Sequence, residues 1–219
     1  MLFSEIDWPG IERLRAKCAA CDRNSLEAAA QDFAALFARE FESVVLARVF
    51  AVLPLKSLPE REREFARVFV NDDQRLGVST PVLTLLGSAG RDASWHGRNT
   101  SKGHLAIPLL DQRFVQGAPM IAKLLSDLDI DLKCLDDGRP IATRQMLGGR
   151  NGTFYVPDAQ VARDDRGRSI IPARDFVTQH QVRTVFGMGG AYTDGGLVAA
   201  IVFTGELLDR PVIERFPSL

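Results

Sequence analysis

The stretch Val182–Glu206, VRTVFGMGGAYTDGGLVAAIVFTGE, constrains the fold more than any other. It holds two apolar, β-prone runs, Val182–Tyr192 and Leu197–Thr204, joined by Thr193-Asp194-Gly195-Gly196. Asp and Gly tolerate the positive φ angles of tight turns, so the joint predicts a hairpin. The second run opens LVAAIVF, with no polar residue at alternate positions. Such a strand is covered on both faces, which requires helices from elsewhere in the chain to pack on the sheet.

Those helices are supplied upstream. Ile11–Cys21 has helical spacing after the breaker Trp8-Pro9-Gly10. Asn24-Ser25-Leu26-Glu27 reads as a capping box, and behind it Leu26, Ala29, Ala30, Phe33, Phe37, Ala38 and Phe41 share one helical face. That helix, Ser25–Glu42, can pack on a sheet or against a copy of itself in a homodimer. SVVLARVFAVLPL then predicts a strand over Val44–Leu53, rich in β-branched residues and ended by Pro54. A charged helix from Leu58-Pro59-Glu60 to about Val70 follows, then a strand over Pro81–Gly87. The segment Ser88–Lys102 is loop in composition, and HLAIPLL (His104–Leu110) is a third strand. Pro119 starts a helix that reaches Leu128. Asp136–Asn151 reads as loop, with a turn of helix at Ile141–Leu147. Gly152–Asp158 is a strand, Pro172–Thr178 a short helix, and LLDRPVIERFPSL a docked terminal turn.

Length and charge narrow the classes of function. A chain of 219 residues buries a sizeable core. The expected division is a helical appendage over residues 1–24 and one domain over 25–219. A formal net charge of −1 leaves no overall footprint for nucleic acid. No run is long and apolar enough for a membrane span, and the N-terminus lacks the features of a signal peptide. Three cysteines, an odd number, suit a reducing compartment, so a cytoplasmic location is expected. No kinase, cyclase or DNA-binding segment is read after Glu206, so any output is expected in a separate partner protein or is lost.

The motifs that carry chemistry elsewhere are weak here. Cys18-Ala19-Ala20-Cys21 ends a helix rather than following a strand, and no second pair completes a zinc site, which favours packing cysteines. Ser101, His104 and Asp111 can be written as a triad, but a short window gathers such residues by chance. Gly187-Met188-Gly189-Gly190 lies inside a strand rather than opening a helix, so it marks a bulge or a close backbone contact. The segment from Trp95 to His104 is richer. It gathers an aromatic ring, His96, Arg98 and His104, groups suited to a carboxylate, phosphate or planar ligand.

The order of elements, carried by HLAIPLL, FVQGAPMIAKLLSDL, GTFYVPD, VRTVFGMGGAY and LVAAIVFTGE, resembles that of GAF/PAS-like sensory domains of bacterial signalling proteins. The resemblance implies an α+β fold: a central antiparallel sheet of about five to six strands with helices on its faces. It also implies a pocket between the sheet and its covering segments, here Ser88–Lys102 and Met120–Leu128. The ligand-binding residues expected on this basis are Trp95, His96, Arg98, His104, Met120, Tyr155, His180 and Arg183. Phe154-Tyr155 and His180–Phe186 would supply sheet positions, and the Val182–Glu206 hairpin the pocket floor, with Arg183 and Met188 at its edges. The chain departs from the bilin-attaching subgroup, which places a cysteine in the covering segment. It also departs from the cyclic-nucleotide subgroup, whose signature is not found, and from GAF-like methionine sulfoxide reductases, which need several placed cysteines. No cofactor is specified. The implied activity is noncatalytic binding of an unknown small molecule, relayed to a signalling partner or through a homodimer. A small enzyme using the Ser88–His104 loop and a structural module with a filled pocket are the alternatives.

Overall fold

A computed structural model describes residues 1–21, 24–71, 74–101, 103–137, 152–191 and 196–216. Within them, a six-stranded antiparallel sheet in the order β3-β2-β1-β6-β5-β4 divides two layers of helices. The strands are β1 (Val44–Pro54), β2 (Pro81–Gly90), β3 (Ala106–Pro108), β4 (Gly152–Val156), β5 (Thr184–Ala191) and β6 (Leu197–Thr204). The expected α+β architecture is therefore present. β6 lies between β1 and β5, hydrogen-bonded on both edges and covered on both faces, which accounts for its unbroken apolarity. The tip of the hairpin, 192–195, lies outside the described residues, as do Asp22, Lys102 and the expected turn at 141–147.

Side-chain alternation assigns each face its cover. On one face Leu46, Phe50, Leu83, Ile201 and Phe203 belong to a core closed by α4 (Gln112–Gln116), α5 (Pro119–Asp127), α6 (Lys133–Asp136) and α7 (Arg174–Gln179). On the other, Ala47, Val49, Phe186 and Val202 pack against α1 (Trp8–Ala19), α2 (Leu26–Glu40) and α8 (Arg210–Ile213). The remaining helix, α3 (Glu60–Phe69), caps a small cluster with Leu55, Val82 and Ala106. The expected apolar face of α2 is thus spent on the sheet of its own chain. A contact between copies would have to use outward residues such as Leu26, which is 49% exposed.

Several local expectations change. Pro9 and Gly10 are inside the first turn of α1 because Asp7 caps it, its carboxylate accepting from Gly10 N at 2.8 Å. Proline is favoured there, since its missing N–H would be unpaired anyway. At α2 the cap is Ser25, which accepts from Ala28 N at 3.0 Å, so Glu27 is released from a capping box to serve elsewhere. Strand β2 runs on to Gly90, so the loop begins three residues later than its composition suggests. There a bulge leaves Leu86 unpaired between Val49↔Gly87 and Phe50↔Leu85. Gly87 is needed because a Cβ would fall 2.3 Å from Ala30 O on α2. The third strand shortens to Ala106–Pro108, because His104 takes a left-handed backbone with φ 55 just before it. The glycines of β5 belong to a regular strand: a Cβ at Gly187 or Gly189 would stand 2.6 or 2.3 Å from carbonyls of β6. They mark close backbone contact, with no register shift in that pairing.

The N-terminal residues join the same core. Phe3 stacks on Phe41 with ring centroids 3.9 Å apart and meets Phe186 and Phe216 edge-on. Glu206, just past β6, accepts from Phe3 N at 2.9 Å, Ser4 N at 3.1 Å and Ser4 Oγ at 2.8 Å, and also from Ser43 Oγ.

Candidate functional site

A cavity of about 290 Å³ lies between the sheet and the α5/α7 layer. Its floor is Leu46, Arg48 and Phe50 of β1, Leu83 of β2, and Ile201 and Phe203 of β6. Trp95 and His104 close one side, the first turn of α5 another, and Pro172, Ala173 and Phe176 a third. The volume sits at the lower end of the roughly 300–1,000 Å³ common for ligand sites.

Arg48 is the residue that sequence reading missed. Its neighbours along β1, Leu46 and Phe50, share its inward face, so an arginine at that position is carried into the core by strand alternation alone. It is 8% exposed, and its Nε is shielded from solvent with no hydrogen-bond partner among the described residues. Burial pushes the guanidinium pKa down to about 10, with no carboxylate to oppose the shift. Ser88, directly across the β1–β2 pair, is fully buried on the same face, and its hydroxyl also lacks a partner. The signal in the sequence is one charged residue at the centre of the run SVVLARVFAVLPL. Buried polar groups are nearly always paired, so the unpartnered Arg48 Nε beside a cavity asks for an acceptor that enters it.

The aromatic wall is continuous. Trp95 meets His180 at 4.9 Å and Phe176 at 5.6 Å, and Phe176 meets Phe203 edge-on at 5.5 Å. His104 is exposed on its outer side while its inner side faces the cavity. Desolvation first, then the positive charge of Arg48, hold its pKa below the ordinary imidazole value. The first turn of α5 begins with Ala118 at the cap position, where no side chain covers the helix end.

Of the eight residues expected at the site, Trp95, His104 and Met120 line the cavity, and His180 backs it through Trp95 and Phe176. The other four lie elsewhere. His96 is exposed and its Nε2 meets Gly90 O at 2.7 Å. Arg98 is buried, bridging Glu27 of α2 and Glu62 of α3 at 2.8 Å each. Its charge is consumed in tying the Trp95 loop to two helices. Tyr155 faces the opposite layer, donating to Leu208 O at 2.7 Å beneath the Arg210 guanidinium. Arg183 pairs with Asp158 at 3.0 Å. The floor is accordingly β1, β2 and, from the expected hairpin, β6 rather than the Phe154-Tyr155 and His180–Phe186 positions, and Met188 lies on the far face. Register decides this, since β4 and β5 sit at the sheet's other edge.

The written triad is dispersed: Ser101 donates to Gly97 O at 2.9 Å, and Asp111 caps α4 through Phe114 N at 2.6 Å. None of the three cysteines lines the cavity, and burial together with Cys21 pushes the Cys18 thiol up to about 11. Among the described residues no cluster of His, Cys, Asp and Glu could hold a metal, and no helix is long and apolar enough to cross a membrane.

The sheet with helices on both faces is the arrangement that the GAF/PAS resemblance implies. No family model and no curated protein matches the chain. Among solved structures, one is a far-red absorbing dark state with bound biliverdin IXα, at 8% identity and TM-score 0.43, over 94% of this chain and 90% of that one. The Stigmatella aurantiaca phytochrome photosensory core module follows at 10% identity and TM-score 0.42. The chromophore-binding domain of a phytochrome from that organism has 9% identity and TM-score 0.40. This chain spans 33% and 55% of those two. At such values nothing about ligand or activity passes from those proteins to this one.

Proposed function

We propose that the chain is a small-molecule-sensing domain that binds its ligand in the Arg48 cavity and acts without chemistry of its own. The observation that carries this reading is Arg48, whose buried Nε has no hydrogen-bond partner among the described residues, at the floor of an otherwise largely apolar, aromatic-walled cavity. A core arginine with no partner is costly, and selection for packing alone would favour an apolar residue there.

Occupancy would reach the rest of the molecule through differential affinity for two arrangements of the covering elements. The Trp95 loop is bound to α2 through Arg98–Glu27, and Gln31 of α2 bonds both the N–H and the carbonyl of Ser88 in β2 at 3.0 Å. Those contacts support α2 as the relay to a signalling partner or to a second copy. Three unbridged thiols fit a reducing, cytoplasmic setting.

Native mass spectrometry of the purified protein tests the reading: a small molecule should travel with the folded chain and leave on denaturation. Failure to retain or bind any small molecule, together with closure of the cavity by Met120 and Trp95, would overturn it. Light scattering with and without ligand addresses the homodimer.

A further inference from the structure

The same cavity constrains the chemical class of its occupant, an inference that rests on the sensing role proposed above. Among the described lining residues Arg48 carries the only full charge, and no aspartate, glutamate or lysine accompanies it. The guanidinium fork matches a planar two-oxygen anion, which it can hold through parallel hydrogen bonds. A second positive feature borders the same space: the first turn of the nine-residue helix α5, whose amides have no side-chain cap. Helix N-termini favour anions through unpaired N–H groups and the helix dipole. The unpartnered Arg48, 92% removed from solvent, makes this more than a bare helix end.

Charge count separates the candidate anions. A carboxylate balances Arg48 one for one, whereas a phosphate carrying close to two charges exceeds the single full charge among the described lining residues. The remainder of the ligand meets Phe50, Phe176, Phe203, Ile201 and Trp95, an apolar and largely aromatic surface. We propose that the cavity binds a small monocarboxylate with an aromatic or branched apolar body, the carboxylate against Arg48 and the body against the Trp95–Phe176–Phe203 wall.

The test is calorimetric titration of the full chain with benzoate, phenylacetate and isovalerate, against benzamide as the neutral isostere and phenyl phosphate as the dianion. Because a hydrogen bond to a charged group is worth more than one to a neutral group, benzoate should bind at least about tenfold tighter than benzamide. In Arg48→Met that preference should vanish while weak benzamide binding persists, and Arg48→Lys, which keeps the charge without the fork, should fall between. Equal or tighter binding of benzamide or phenyl phosphate to the wild-type chain would overturn the carboxylate assignment and leave the sensing pocket standing. No binding by any compound up to about 10 mM would sink both. The comparison of ligands on the wild-type chain requires no variant to fold.

Discussion

Replacing Arg48 by methionine should stabilise the ligand-free protein. At a pKa of about 10, well below its ordinary value, the buried guanidinium is held charged at a cost of about 3 kcal/mol relative to water. Because the folded-state pKa is the lower one, the penalty is fully present below about pH 10 and fades as pH rises toward the higher unfolded value. Neutral pH therefore carries all of it. Methionine keeps much of the stem's volume, adapts to the gap beside Phe50 and Ile201, and removes the charge. Allowing for packing lost with the longer side chain, a net gain of about 1–3 kcal/mol is expected, the range seen when buried charges are replaced by apolar residues. With an m-value of about 3 kcal/mol per molar, the urea midpoint should rise by about 0.3–1 M at unchanged slope. Saturating carboxylate should narrow the difference, since the ligand binds the wild-type chain more tightly and stabilises it more. A lower midpoint for the variant without ligand would refute the reasoning, because it would mean that Arg48 holds the fold together.

Other perturbations follow from the same geometry. Arg98→Ala leaves Glu62 buried without its partner and should cost about 3–5 kcal/mol in urea unfolding, with much of the loss recovered in the Arg98→Ala/Glu62→Gln double variant. If the single variant unfolds like the wild type, the loop is held by other contacts. Gly87→Ala forces β2 away from Ala30 of α2 and should destabilise by about 1–3 kcal/mol; an unchanged midpoint would show that the helix can shift freely. Burial alone would raise the Glu206 pKa, but hydrogen bonds from Ser43, Phe3 and Ser4 outweigh it and hold the carboxyl below its ordinary 4.5. Its contribution is present above that pH and lost as pH falls through the lowered value. Amide exchange at Phe3 and Ser4 should quicken there, and Glu206→Gln should flatten the dependence.

The ease of reading this chain differed by element. Helices α2 and α5, strands β1 and β6, and the α+β class are visible because each depends on periodicity within one segment, with a cap or a proline at its edge. Strand β2 was cut short because Ser88, Ala89 and Gly90 have loop composition, yet they remain in the sheet by pairing with β1 and bonding Gln31. Trp95 and Met120 line the cavity because they sit on covering segments, which the order of elements places, whereas His104 and His180 reach it from outside those segments. The attractive charges were misjudged for a physical reason. Arg98 and Arg183 look available in sequence, but the carboxylates that pair with them, Glu27 and Glu62 for Arg98 and Asp158 for Arg183, are far from them along the chain.

The sequence by itself determined that an apolar central strand needs helices on both sides, that α2 supplies one of them, and that the Trp95 loop is built to cover something. Those are statements about local pattern, and local pattern is written in the chain. Which cation remains unpaired is a different kind of property, because it depends on every carboxylate that reaches each arginine once the sheet has closed. Tertiary structure alone matched Glu27 and Glu62 to Arg98, matched Asp158 to Arg183, and left Arg48 at the cavity floor with no partner among the described residues.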